Sequence, residues 1–212
     1  LPLDRFEILV EDDTSLPTLD LSPPDATSRA ISEQIVDLLP DGGTLQLGLG
    51  KMQGAVLNAV GKAKRHDLGF HGGMISDPVL ALIDQGGFSK GTTTGVALGS
   101  KGFYDKLADN TSVRFQPVSG THAYPSLAKL ASFVSVNSVV QVDLTGQANA
   151  EYVQGRQVSG QGGMVDFIRG ARASAGGLAI LAMPATAKGG TVSRIVAALS
   201  DGAPVSVSRA DV

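Results

Sequence analysis

Between residues 44 and 130 the chain alternates short apolar runs with amphipathic ones, and this alternation limits the fold more than any other feature. Residues 44–49 read as a strand, followed by Gly50 and a helix carrying Ala55, Val56, Leu57, Ala59 and Val60. The unit recurs as strand 68–71 with helix 78–82, strand 94–98 with helix 102–107, and strand 113–118 with helix 125–130. Strands that each lead into a short helix are βαβ units, which build a parallel sheet covered on both faces. The expected fold class is therefore α/β, an open, mostly parallel sheet with flanking helices.

The flanks are read the same way. A helix is predicted over 25–39, with Asp25 as N-cap and Ile31, Ile35, Leu38 and Leu39 as its apolar stripe. Residues 133–144 read as a strand pair or one bent strand, 178–183 as a buried strand, and 194–199 and 204–208 as further strands. Residues 1–24 form a linker or N-terminal extension, Pro-rich from 16 to 24, and 25–212 form the domain.

Composition narrows the function class. A net charge of −3 without a basic run argues against nucleic acid, and no apolar stretch approaches the ~20 residues of a membrane span. Asp4, Arg5 and Glu7 interrupt the first ten residues, which do not read as a signal peptide. With no cysteine there is no disulfide, thiolate nucleophile or thiolate-held metal, which fits a cytoplasmic or organelle-matrix setting. The chain opens on Leu1 and stops at Asp211-Val212 after a strand-like run, so a piece of a longer protein is expected.

The 27 glycines concentrate attention on a few turns. In Ser159-Gly160-Gln161-Gly162-Gly163, three glycines within four residues let a backbone approach a ligand, just before a helix that begins near Asp166. Free amides at such a helix start can hold an anion or a developing oxyanion; a glycine-rich connection between packed elements explains the spacing equally well. Gly48-Leu49-Gly50-Lys51-Met52-Gln53-Gly54 misses GxGxxG by one residue, and the next strand ends Phe70-His71-Gly72-Gly73 without the carboxylate that would hold a ribose. His66, His71 and His122 have no i, i+4 partner, so no metal site is expected. His71, at a strand end, is either structural or catalytic; Glu151 is either a solvated loop carboxylate or an acid–base group. Lys188-Gly189-Gly190-Thr191 fits phosphate binding or a plain turn.

Thr44-Leu45-Gln46-Leu47-Gly48-Leu49-Gly50, Ile75-Ser76-Asp77, Ala97-Leu98-Gly99-Ser100-Lys101, Val136-Asn137-Ser138 and Val142-Asp143-Leu144-Thr145-Gly146-Gln147 resemble, in this order, segments of the acetyl-CoA hydrolase/transferase family. Residues 159–169 and 186–196 and Ser208-Arg209 continue the resemblance, which covers about residues 4–212 and corresponds to the C-terminal half of the family's chain. It implies a CoA-transferase fold, coenzyme A or an acyl-CoA as ligand, a carboxylic acid as co-substrate and no metal. It further implies a homo-oligomer or pairing with an N-terminal half-domain. The family's glutamate attacks the thioester, giving an acyl-glutamyl anhydride and then a glutamyl-CoA thioester, while a GxGG loop similar to Gly160-Gln161-Gly162-Gly163 lies against the thioester.

The resemblance breaks at the nucleophile. The family's His-Thr-Glu-Met segment aligns with His71-Gly72-Gly73-Met74, so Gly73 stands at the glutamate position. Gln53 replaces a proline common after the first glycine turn, and Ala123 stands where the family has an asparagine. The expected site therefore uses Gly48, Gly50, Gly160, Gly162, Gly163 and Lys188 to bind CoA, with Glu151 or His71 activating water. The alternative is a non-catalytic CoA-binding paralogue or a subunit of a larger CoA-transferase assembly.

Overall fold

The computed structural model describes residues 3–63 and 65–211. Six parallel strands form the central sheet: β1 (Thr44–Leu47), β2 (Gly69–His71), β3 (Thr92–Thr94), β4 (Val113–Phe115), β5 (Phe133–Ser138) and β6 (Leu178–Ala182). Their order is β6-β5-β1-β2-β3-β4, so the chain reverses direction across the sheet between β1 and β5. In open α/β sheets the crevice at the carboxyl ends of such a pair is where ligands gather.

Alternation along the strands sorts the two faces. Leu45 and Leu47 of β1, Phe70 of β2 and Val134 and Val136 of β5 point to one side. There they pack with α1 (Ala26–Asp37), α2 (Lys51–Ala63), α3 (Asp77–Asp84) and Phe103 of α4 (Lys101–Ala108). The other face is polar at its centre: Gln46 Oε1 accepts from Ser135 Oγ at 2.8 Å and from Asn137 Nδ2 at 3.2 Å, all three side chains buried. Two short helices, α5 (Val118–Thr121) and α6 (Tyr124–Leu127), and the longer α7 (Met164–Ala173) cover this side, where Leu127, Phe133, Phe167 and Ala171 make a small second core.

Asp25 caps α1 as its residue type predicts, accepting from Ser28 N–H at 2.8 Å. The stripe of α1 is shifted: Leu38 is 57% exposed, and Val36 turns inward in its place. The third strand begins at Thr92, two residues before its predicted start, and breaks at Gly95, with Val96–Ala97 pairing separately with Met74–Ile75. Residue 118, predicted as strand, opens α5. Residues 133–144 bend: β5 stays in the central sheet, and Gln141–Asp143 joins a second sheet with Ile195–Val196 and Ala148–Asn149. Of the predicted strand 204–208 only an isolated Ala148–Val207 bridge forms. β6 is not a buried strand. It lies at the sheet edge with Leu178 36% exposed, because only β5 pairs with it. The linker is strapped down where Leu19 N–H donates to the Gly99 carbonyl and Tyr104 Oη donates to that of Pro17.

Ser174, just after α7, ties helix to sheet: its Oγ accepts from Phe133 N–H at 3.0 Å and donates to the Leu130 carbonyl. Ser174→Ala leaves the buried Phe133 N–H without its partner, a loss of about 1–3 kcal/mol. The melting midpoint should drop by roughly 2–4 °C per kcal/mol in a chain of this size. An unchanged midpoint in a circular-dichroism melt would contradict this account of the junction.

Candidate active site

Behind β2 the chain runs Gly72-Gly73, where Gly72 N–H donates to Thr93 O and the Gly73 carbonyl accepts from Gly95 and Val96 N–H. Gly73 is thereby fixed beside the end of the sheet, on the side covered by α5 and α7. The imidazole of His122, the residue that ends α5, fills the space in front of it. A Cβ on Gly73 would lie 3.0 Å from both Cε1 and Nε2 of that ring. From the opposite side comes Gly163, the N-cap of α7, where a Cβ would fall 2.2 Å from His122 Cδ2 and 2.3 Å from Nε2. No real Cβ approaches so closely, so the ring and a side chain at 163 exclude one another. Phe167, one turn into α7, supports the imidazole with ring centroids 4.6 Å apart.

Two histidines grip one threonine. Thr121, fully buried, has its Oγ1 2.7 Å from His122 Nδ1, while its carbonyl accepts from His71 Nε2 at 3.0 Å. His71 also meets Phe133 edge-on, with centroids 6.4 Å apart. Burial holds both imidazoles below the ordinary histidine range. For His71 the Thr121 carbonyl pulls the other way and nearby His122 pushes further down; for His122 the Asp166 carboxylate pulls up. The unfolded chain takes up these protons near about pH 6.5 and the folded chain only below it, so the stability present above that value is lost as pH falls through the window. Thermal melts from about pH 7 to about pH 5 should show a falling midpoint, with a shallower slope in His71→Asn and His122→Asn. Equal slopes would exclude these imidazoles as its source.

The Gly160 loop is held at its edges and open in its middle. Gln161 Nε2 donates to the Ser206 carbonyl at 2.6 Å and Ser159 Oγ to the Ala150 carbonyl at 3.1 Å. Among the described residues, the N–H groups of Gly162 and Gly163 have no acceptor. A Cβ on Gly160 or Gly162 would meet nothing within 4 Å, whereas Gly162 needs its glycine for a φ of +56°.

Of the residues singled out from sequence, the structure brings His71, Gly73 and Gly163 together through His122 and Thr121. Glu151 is 9% exposed, not the solvated loop carboxylate its surroundings suggested. Its backbone is tied to Asn149, Val158 and Ser159, and its carboxylate forms no hydrogen bond among the described residues. The glycines of the first turn serve the fold directly: Gly50 has φ +123°, and Gly48 and Gly50 leave room for Gln53, whose Nε2 donates to Ser138 Oγ at 3.1 Å across the β1/β5 switch point. Lys188 is exposed in the turn between Thr186–Ala187 and Val192–Ser193, with no contact to the Gly160 loop among the described hydrogen bonds and ion pairs. Among the described residues no group of three His, Asp or Glu side chains could hold a metal, and no helix is long and apolar enough to cross a membrane. Sequence reading weighed His122 only as a metal ligand and gave no role to Thr121 or to the Gln46–Ser135–Asn137 network. These groups meet only across strands and helices far apart in the chain, so no spacing marks them.

Residues 99–212 match the acetyl-CoA hydrolase/transferase C-terminal domain. The chain is 41% identical over 210 residues to a 4-hydroxybutyrate coenzyme A transferase of Clostridium kluyveri, an alignment covering 94% of this chain and 48% of that one. In three dimensions it resembles the crystal structure of RipA from Yersinia pestis, with TM-score 0.86 and 34% identity over 93% of this chain and 46% of that one. It also resembles the 4-hydroxybutyrate CoA-transferase of Porphyromonas gingivalis, with TM-score 0.74 and 36% identity over 87% of this chain and 46% of that one. The chain spans about half the length of these relatives. By domain match, sequence and fold, it belongs to the acetyl-CoA hydrolase/transferase family.

Proposed function

We propose that this chain binds coenzyme A or an acyl-CoA with the thioester against residues 160–163, and acts on that thioester without a covalent intermediate at position 73. Gly160 carries the reading. Its φ is not left-handed and a Cβ there would touch nothing, so neither backbone nor packing requires a glycine, while the space in front of it stays open. The unpaired N–H groups of Gly162 and Gly163 supply donors for a carbonyl oxygen that gains negative charge. Gly48, Gly50 and Lys188 are assigned to the rest of the ligand, and a carboxylic acid is the co-substrate wherever transfer replaces hydrolysis. The protein works as a homo-oligomer or paired with an N-terminal half-domain, in the cytosol or an organelle matrix.

Gly160→Val tests the binding site directly. A surface change of this kind stays within about 0.5 kcal/mol, so the fold should melt within roughly 2 °C of wild type. Affinity for CoA in calorimetry should fall tenfold or more, about 1.4 kcal/mol. Unaltered affinity would remove this loop from the site.

A second reading, a non-catalytic CoA-binding paralogue or a subunit of a larger assembly, is favoured by Gly73, which has no group to attack a carbonyl. Tight CoA binding with no release of thiol from acetyl-CoA would select it.

A further inference from the structure

We propose that His122 is a catalytic residue of this site: its Nε2 takes the proton from a water that attacks the thioester carbonyl of a ligand on the Gly160 loop. The inference rests on the reading of that loop as the thioester site and supplies the group that the reading lacks.

Three features place the imidazole for this work. It stands where a side chain at position 73 would project, and the same ring is the nearest neighbour of a Cβ at Gly163, so Nε2 lies between the two glycines. The opposite nitrogen, Nδ1, is committed to Thr121 Oγ1 at 2.7 Å, and Thr121 is itself fixed by His71 Nε2 on its carbonyl. The general-base role takes the tautomer in which Nδ1–H donates to Thr121 Oγ1 and the lone pair sits on Nε2, an atom with no hydrogen-bond partner among the described residues. The Phe167 ring then restricts the plane of the imidazole. A base held in one orientation by a buried partner is the arrangement that general-base catalysis requires. His71 and Thr121 are positioning residues, since both act through His122.

The step balances with water alone. The water oxygen bonds to the carbonyl carbon while its proton passes to His122 Nε2, and the carbonyl electron pair moves onto an oxyanion facing the Gly162 and Gly163 N–H groups. Collapse breaks the carbon–sulfur bond, and the departing thiolate takes the proton from the imidazolium. The products are a carboxylic acid and the CoA thiol, with His122 returned to its starting form.

The test uses the purified native protein with acetyl-CoA, following free thiol for turnover and CoA calorimetry for binding. In both His122→Gln and His122→Asn, hydrolysis should fall about 100-fold or more, the usual worth of a general base, while CoA affinity stays within about threefold. Two variants of different reach keep the result readable if one fails to fold. A loss smaller than tenfold in a folded variant overturns the proposal, as does a wild-type protein that binds CoA and releases no thiol. A wild-type protein that binds no CoA overturns the thioester-site reading itself, and the proposal with it.

Discussion

Borohydride reduction after incubation with acetyl-CoA is expected to leave the wild-type protein unmodified and, in Gly73→Glu/His122→Ala, to reduce a glutamyl-CoA thioester at position 73 to its alcohol with release of the CoA thiol. Glycine carries no nucleophile, so no glutamyl intermediate can form at position 73 of the native sequence. Its backbone is ready for a side chain nonetheless: φ at Gly73 is not left-handed, and Phe167 Cζ lies 3.8 Å from the Cβ position, an ordinary contact. Only His122 obstructs, with Cε1 and Nε2 both at 3.0 Å. Gly73→Glu alone therefore has to push the ring off Phe167, an overpacking cost of about 1–3 kcal/mol, and should yield less of the alcohol than the double variant. Removing the imidazole frees the volume a glutamate needs to reach the Gly160 loop. Mass spectrometry of the reduced protein reads the result. The alcohol in the wild-type chain, or none in a double variant that still binds CoA, would refute this steric account.

Phe133→Ala should be the most destabilising single substitution at the site. Phe133 is fully buried at the start of β5, in one cluster with Leu127, Phe167 and Ala171, and its ring faces both His71 and Phe167. Truncation to alanine loses the transfer energy of the ring and leaves a cavity, together about 3–5 kcal/mol. At roughly 2–4 °C per kcal/mol the midpoint falls by about 6–20 °C. Because the cavity opens beneath His71 and beside Phe167, the support of His122 loosens too, and turnover should drop further than CoA affinity. A thermal melt with parallel kinetics separates the two effects, and a midpoint within about 2 °C of wild type would mean the ring carries no such packing.

The parts legible from sequence share a local cause. Asp25 reads as an N-cap because a side-chain oxygen beside a free helical amide needs no distant partner, and it bonds Ser28 as expected. Strands β1 and β2 stand close to their predicted ranges because apolar runs bounded by glycine and charge report their own burial. Val118 and Leu178 misled for the opposite reason. Val118 is a β-former that opens a short helix after Pro117, and Leu178 is apolar on a strand with a neighbour on one side only. Local pattern says that a residue favours burial; the number of neighbours the fold supplies decides whether it is buried.

The same division holds at the site. The sequence by itself determined the α/β architecture, the family resemblance and the absence of a carboxylate at Gly73, since each is a property of residues read in order. Only the tertiary structure decided what occupies the space that absence leaves. His122 reaches Gly73 and Gly163 because α5 and α7 cover one face of the sheet at the end of β2. Such a meeting depends on crossovers many residues long, which no periodicity of 2 or 3.6 residues can encode.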